Sequence, residues 1–177
     1  KVALNSTINL SIVDAKAEYV VKSNPSKSWL REVKSNFAAH KENDFIDFDY
    51  EGLISKMLSQ EGPSLAVGDI NGDGNEDVFI GGAKGQSGKI YVNKGNNNFG
   101  VTTQKALEGD ANFEDTAASF FDADGDGDLD LLVGSGGNER ISPANYQNRL
   151  YLNNGKGAFA KSSAIIPSAS TSVSVIA

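Results

Sequence analysis

Cysteine is absent from the 177 residues. Disulfides are therefore excluded, and with them thiol nucleophiles and thiolate–metal sites. Histidine occurs once, as His40, and proline four times. A lone histidine is more often a satisfied hydrogen-bonding group than a ligand or a catalyst, and we expect that of His40. No apolar run reaches membrane-spanning length and no signal-peptide pattern is present, so we expect a chain that does not span a membrane. Basic residues are in the minority, 16 against 23 acidic, for a net charge of −7. They do not cluster, which argues against a nucleic-acid partner. The chain starts at Lys1-Val2-Ala3-Leu4 without a Met, as expected of a mature chain or a piece of a longer one.

What is present is acid in a pattern. Asp122-Ala123-Asp124-Gly125-Asp126-Gly127-Asp128-Leu129-Asp130 carries a carboxylate at every second position. A relative occurs upstream as Asp69-Ile70-Asn71-Gly72-Asp73-Gly74-Asn75-Glu76-Asp77, and the two together hold nine of the 23 acidic residues. Gathering like charges in a tight loop costs several kcal/mol unless a cation sits among them. Oxygen donors without Cys or His favour a hard ion, Ca²⁺ before Mg²⁺.

Calcium takes six to eight oxygens at about 2.3–2.6 Å. Side chains at loop positions 1, 3, 5 and 9 are the expected donors: Asp69, Asn71, Asp73 and Asp77, then Asp122, Asp124, Asp126 and Asp130. Asn75 and Asp128 at position 7 are expected to offer backbone carbonyls. Gly74 and Gly127 at position 6 permit the sharp turn. The second loop has the extra carboxylate, Asp124 against Asn71, and is expected to bind calcium more tightly. An EF-hand would require a bidentate Glu at position 12 and flanking helices. Position 12 is Ile80 and Val133, and the flanks are β-branched and Gly-rich. Two calcium loops between strands are therefore expected.

The loops sit in a repeat. Asp69 to Asp122 is a period of 53 residues. Each loop is preceded by a short strand pattern, Leu65–Gly68 and Ala118–Phe121, and followed by another, Val78–Gly82 and Leu131–Ser135. A third pattern follows, Ile90–Gly95 and Leu150–Gly155, and a fourth starts at Phe99 and Phe159. Four short strands with Gly-rich turns, recurring at this period, predict β-propeller blades in an all-β fold. Tyr91 to Tyr151 spans 60 residues, so the second copy carries seven more, in the loop from Gly136 to Asn148. Longer repeat loops often lie on a binding face, and Asn138, Glu139, Arg140 and Tyr146 are the ligand candidates there, beside the reading of a merely decorative loop.

Outside the repeat, residues 2–12 alternate as a strand or two short ones, and 23–63 reads as linker and lead-in. Phe45 to Tyr50 alternates as a strand with Asp47 and Asp49 on one face, a solvated face or a third cation site. Leu53, Ile54, Met57 and Leu58 have helical spacing, predicting a short helix near 51–60 capped by Asp49. The blades are expected at 64–116 and 117–171. Residues 172–177 match the strand before each loop and would start a further blade, so a fragment of a larger propeller is expected. Two blades leave strand edges that further blades or a partner chain would cover.

At these residues the chain resembles the FG-GAP/VCBS repeats of calcium-binding propellers, as in the integrin α-subunit head. His40–Asp49, Ser59–Pro63, Phe79–Gly85 and Gly134–Glu139 are similar to bacterial VCBS proteins carrying an ASPIC/UnbV segment. In that family residues 1–22 would be the β-strand tail of a preceding segment. Lys84 after Gly82-Ala83 departs from the full FG-GAP signature and weakens an integrin-like ligand claim. The resemblance implies a secreted or outer-surface protein that binds other molecules, at an extracellular or bacterial outer-membrane location. Three functions are compared: a calcium-stabilised binding or adhesion module for a protein or glycan; a non-catalytic subunit of an outer-membrane uptake or secretion assembly; and, less favoured, a propeller-based lyase or hydrolase. No nucleophile–base constellation supports the third. An open polar pocket beside Arg140 and Glu139 with a strongly raised carboxylate pKa would favour it.

Overall fold

Two antiparallel sheets of four strands, each in the order of the chain, carry the repeat in a computed structural model. The structure describes residues 35–96, 98–139, 143–164 and 166. The expectations for 1–22, for the start of the linker, for Arg140 and for 172–177 lie outside the described residues. The first sheet is β1 (Leu65–Gly68), β2 (Asp77–Ile80), β3 (Lys89–Asn93) and β4 (Phe99–Thr102). The second is β5 (Glu114–Phe121), β6 (Asp130–Gly136), β7 (Arg149–Asn153) and β8 (Phe159–Lys161). The fold is the all-β, blade-like one expected. Both acidic loops are the β1–β2 and β5–β6 turns, so each sits at a strand-to-strand corner.

Val, Ile, Phe and Tyr dominate the middle strands β2 and β3, and Leu joins Val and Tyr in β6 and β7, as suits a pleated, half-buried surface. Cross-strand partners define two faces in each sheet. In the first sheet Ala66, Phe79 and Ile90 pair in register across β1, β2 and β3. In the second, Phe120, Leu131 and Tyr151 pair across β5, β6 and β7. These two faces meet, and β1 packs on β5. Phe79, Ile90, Leu131, Val133 and Tyr151 are all fully buried in one apolar cluster. Burial of each such side chain contributes roughly 1.5–3 kcal/mol. Gly68 lies close to the second blade: a Cβ there would stand 2.9 Å from Leu129 Cδ1, so the Leu129 side chain would have to shift.

Polar contacts also join the blades. Ile70, from the first acidic loop, is 2% exposed, and its carbonyl accepts from Asn153 Nδ2 at 2.7 Å. α1 (Lys105–Glu108), a single turn between the sheets, places Gln104 against the β7–β8 turn. There Gln104 Nε2 donates to the Gly157 carbonyl at 2.8 Å and its Oε1 accepts from Phe159 N at 3.1 Å. Under the second blade, Arg149 and Asp115 form a buried ion pair, 2.5 Å between Nη2 and Oδ1. The guanidinium also lies 4.4 Å from the Phe113 ring centroid. Burial pulls the Arg149 pKa down, but Asp115 beside it holds it above the ordinary value.

The lead-in departs from expectation. Residues 51–60 form turns, not a helix, and the one short α-helix among the described residues is α1. Asp47–Asp49 is a 3₁₀ turn rather than a strand. The reason is Asp47, which is fully buried. Its carboxylate accepts from Leu58 N and Ser59 N, both at 3.1 Å, and from Ser59 Oγ at 2.6 Å. These bonds satisfy backbone donors that a helix would have used internally. Leu53, one of the residues whose spacing suggested an apolar helix face, is instead fully exposed. Earlier in the lead-in, Phe37 packs edge-on against Tyr91 with centroids 4.8 Å apart, and Ala38 N donates to the Tyr91 hydroxyl at 2.9 Å. His40 is engaged as expected, with Nε2 at 2.6 Å from Glu42 Oε1.

Candidate metal centre

The two acidic loops share a common set of hydrogen bonds at matching positions, to which the first adds Asp73 N to Asp69 Oδ1 and Asn75 Nδ2 to Asp73 Oδ1. The first-position carboxylate folds the loop onto itself: Asp69 accepts from Gly72 N and Gly74 N, both at 2.8 Å. Asp122 accepts from Gly125 N at 2.7 Å and Gly127 N at 3.1 Å. Positions 3 and 5 each accept from the amide two residues on, at 2.9 Å for Asn71 and 2.8 Å for Asp73. Asp124 and Asp126 do the same at 3.2 and 2.9 Å. Gly74 and Gly127 have φ of 83° and 92°, a region that penalises a Cβ.

The ninth position closes each loop onto the sheet. Asp77 accepts from Ile70 N at 3.2 Å and from Asn93 N, at the end of β3, at 2.7 Å. Asp130 accepts from Ala123 N at 2.9 Å and from Asn153 N, at the end of β7, at 2.8 Å. Both carboxylates are fully buried. Asn93 and Asn153 were not singled out from the sequence. Their signal was there: the same residue type follows the third strand in both copies.

In the second loop, Asp122, Asp124 and Asp130 each offer an oxygen, and all three lie within 4.8 Å of one another. Bonds of about 2.3–2.6 Å from one central ion hold donor oxygens no more than about 5 Å apart, so this set fits calcium. It is the one such acidic cluster among the described residues. Asp128 is turned away, since a Cβ on Gly155 would run into its carboxylate. Its backbone carbonyl is the group it could offer. Partial desolvation first, and then the carboxylates of Asp126, Asp130 and Asp122, raise the Asp124 pKa. In the first loop Asn71 replaces that carboxylate, and the Gly74 amide above all lowers the Asp69 pKa. Burial raises that of Asp77.

The candidates in the long loop face inward. Asn138 Nδ2 donates to Asp47 Oδ1 at 2.9 Å and to Glu51 Oε2 at 3.2 Å. Glu139 Oε1 accepts from Asn43 Nδ2 at 2.6 Å, and the Tyr146 hydroxyl donates to the Gly137 carbonyl at 3.2 Å. All three thus hold the lead-in and the loop itself. Beside them lies an open groove of about 540 Å³ lined by Asn43, Asp44, Phe45, Lys84, Gly85, Asn112 and Glu139.

Four-stranded sheets with an oxygen-lined loop at the first corner define a blade-type repeat able to hold a metal ion. Residues 64–133, from the start of β1 through most of β6, match the model of the FG-GAP-like repeat, a repeat of β-propellers. No helix among the described residues is long and apolar enough to cross a membrane.

Proposed function

We propose that this chain is a calcium-stabilised propeller module that binds a protein or glycan outside the cell or on an outer surface, without catalysis. The observation that carries the metal part is the convergence of Asp122, Asp124 and Asp130 at the corner of a blade. The chain's own residues shape the loop through amide donors, leaving carboxylate oxygens for the ion. When bound, calcium supplies charge neutralisation and a fixed corner. The first loop, with Asp69, Asn71, Asp73, Asn75 and Asp77, is the second and weaker site in this reading. The binding role rests on the groove beside Glu139, whose amide, carboxylate, ammonium and aromatic groups suit a polar ligand.

Melting should be followed by calorimetry with calcium and with chelator. Ligand at 100 times its dissociation constant adds about 2.7 kcal/mol, so a clear drop in melting temperature is expected in chelator. Superimposable curves would sink the calcium reading. A second reading, acid–base catalysis at the groove, has one observation in its favour: burial first, then nearby carboxylates, push Glu114 up to about 8. Its unpaired oxygen is buried, however, and Glu114 does not line the groove.

A further inference from the structure

Three carboxylates outside the acidic loops lie near one another, close enough for Glu42 and Glu139 to act on the charge of Glu114. Glu42 comes from the lead-in, Glu114 opens β5, and Glu139 comes from the long loop after β6. Each has one oxygen engaged by one donor. Glu42 Oε1 lies 2.6 Å from His40 Nε2, Glu114 Oε2 accepts from Lys84 N at 2.7 Å, and Glu139 Oε1 accepts from Asn43 Nδ2 at 2.6 Å. Each has its other oxygen buried with no donor: Glu42 Oε2, Glu114 Oε1 and Glu139 Oε2. Glu114 itself is 1% exposed. Two glycines wall the place. A Cβ on Gly62 would stand 3.6 Å from Glu114 Oε1, and one on Gly137 would run into Glu139 Oε2 and sit 3.3 Å from Glu114 Cβ.

Such an arrangement is costly as it stands. A buried carboxylate oxygen without a donor forfeits its hydration, and three like charges add repulsion. Burial, then Glu42, Glu139 and Asp115, all act against the charged form of Glu114. No Lys or Arg ion pair among the described residues reaches Glu42, Glu114 or Glu139; those pairs are Lys56–Glu61, Arg149–Asp115 and Lys161–Asp110. A small cation that takes only oxygen would satisfy all three unpaired oxygens.

We propose that Glu42 Oε2, Glu114 Oε1 and Glu139 Oε2 bind a hard divalent cation, separate from both acidic loops, which clamps the lead-in to β5 and to the long loop. The three oxygens do not share the 4.8 Å mutual spacing of the Asp122 set. Glu42 and Glu139, both on loops, close on the ion by side-chain rotation while Glu114 stays fixed in the sheet. The glycines keep room for that closure.

Calcium bound per chain, measured by equilibrium dialysis of the full chain with calcium alone, tests this. An Asp73→Asn, Asp126→Asn double variant, which weakens both acidic loops, should retain one equivalent. Adding Glu114→Gln should remove it. Hydrogen exchange at Lys41–Asn43 should slow several-fold with calcium in the double variant and not after Glu114→Gln. Glu139→Gln, on a loop, gives the same test should Glu114→Gln fail to fold. No calcium bound by the double variant, or an equivalent that survives both Gln substitutions, overturns the proposal. A Glu114→Gln protein more stable than its parent, with the double variant binding no calcium, would assign the site to a shared proton. Failure here leaves the acidic-loop reading intact, because that one is tested in the parent chain.

Discussion

The two blades carry the same strand pattern in the same register yet bury opposite faces. Ala66, Phe79 and Ile90 are buried, while their counterparts Ser119, Leu132 and Leu150 are half-exposed. Leu131 and Val133 are fully buried, while their counterparts Val78 and Ile80 are half-exposed. Leu65 and Val67 are open as well, where Ala118 and Phe120 pack on the core. Position in the strand therefore sets which face a side chain joins, and the neighbouring blade decides whether that face is dry. The acidic loops show the same thing: Ile70 is inserted into the second blade, whereas Ala123, at the same loop position, is exposed.

The comparison breaks most sharply at the start of the third strand. Lys89 and Arg149 hold equivalent places, opposite Ile80 and Val133. Lys89 is exposed and Arg149 is buried on Asp115. Removing one partner of a buried pair costs about 3–5 kcal/mol, so Arg149→Met should destabilise by that order in urea melts and Lys89→Met should not register. Next comes the core. Phe79→Ala should cost about 3 kcal/mol and Leu132→Ala about 1 kcal/mol, because only the first leaves a closed cavity. Equal losses would mean that the second blade's outer face is covered.

Smaller effects sharpen the picture. Burial pushes Asp47 up, but the bonds from Ser59, Asn138 and Leu58 more than reverse this and leave its pKa below the ordinary value. Its contribution is therefore present above the unfolded pKa near 4 and fades as pH falls through the folded value. The protection factors of the Leu58 and Ser59 amides, taken against the intrinsic exchange rate at each pH, should fall in acid, and Asp47→Ala should abolish their protection at neutral pH, at a cost of about 2 kcal/mol. Finally, Asn71→Asp supplies the first loop with the carboxylate that the second has. Calcium titration calorimetry should show the first site tighten several-fold toward the second; no change would mean that position 3 is not a ligand.

How much of this was legible depended on the range of the forces. The corner loops and the middle strands were, because a carboxylate at every second residue and a two-residue alternation are local patterns. β3, β4, β7 and β8 start within a residue of where the repeat put them. Residues 45–60 were misread because one buried carboxylate, Asp47, reaches donors 11 and 12 residues away and outweighs local helical spacing. Asn138, Glu139 and Tyr146 were marked as ligand candidates, and in the structure their hydrogen-bond partners lie in the lead-in or in the loop itself. Glu42 and Glu114 gave no signal at all, since nothing in sequence brings residues 72 positions apart to one place.

Asn153 has a mechanical consequence. Its side-chain amide holds the carbonyls of Ile70 and Leu129, while its backbone amide holds Asp130. One residue is thus stitched to both corners at once. Tension that tends to peel the blades apart would load this stitch, and through Asp130 the second loop, together with the apolar core. An ion seated there would set resistance to shear as well as to heat, and its dissociation would loosen both corners in a single event.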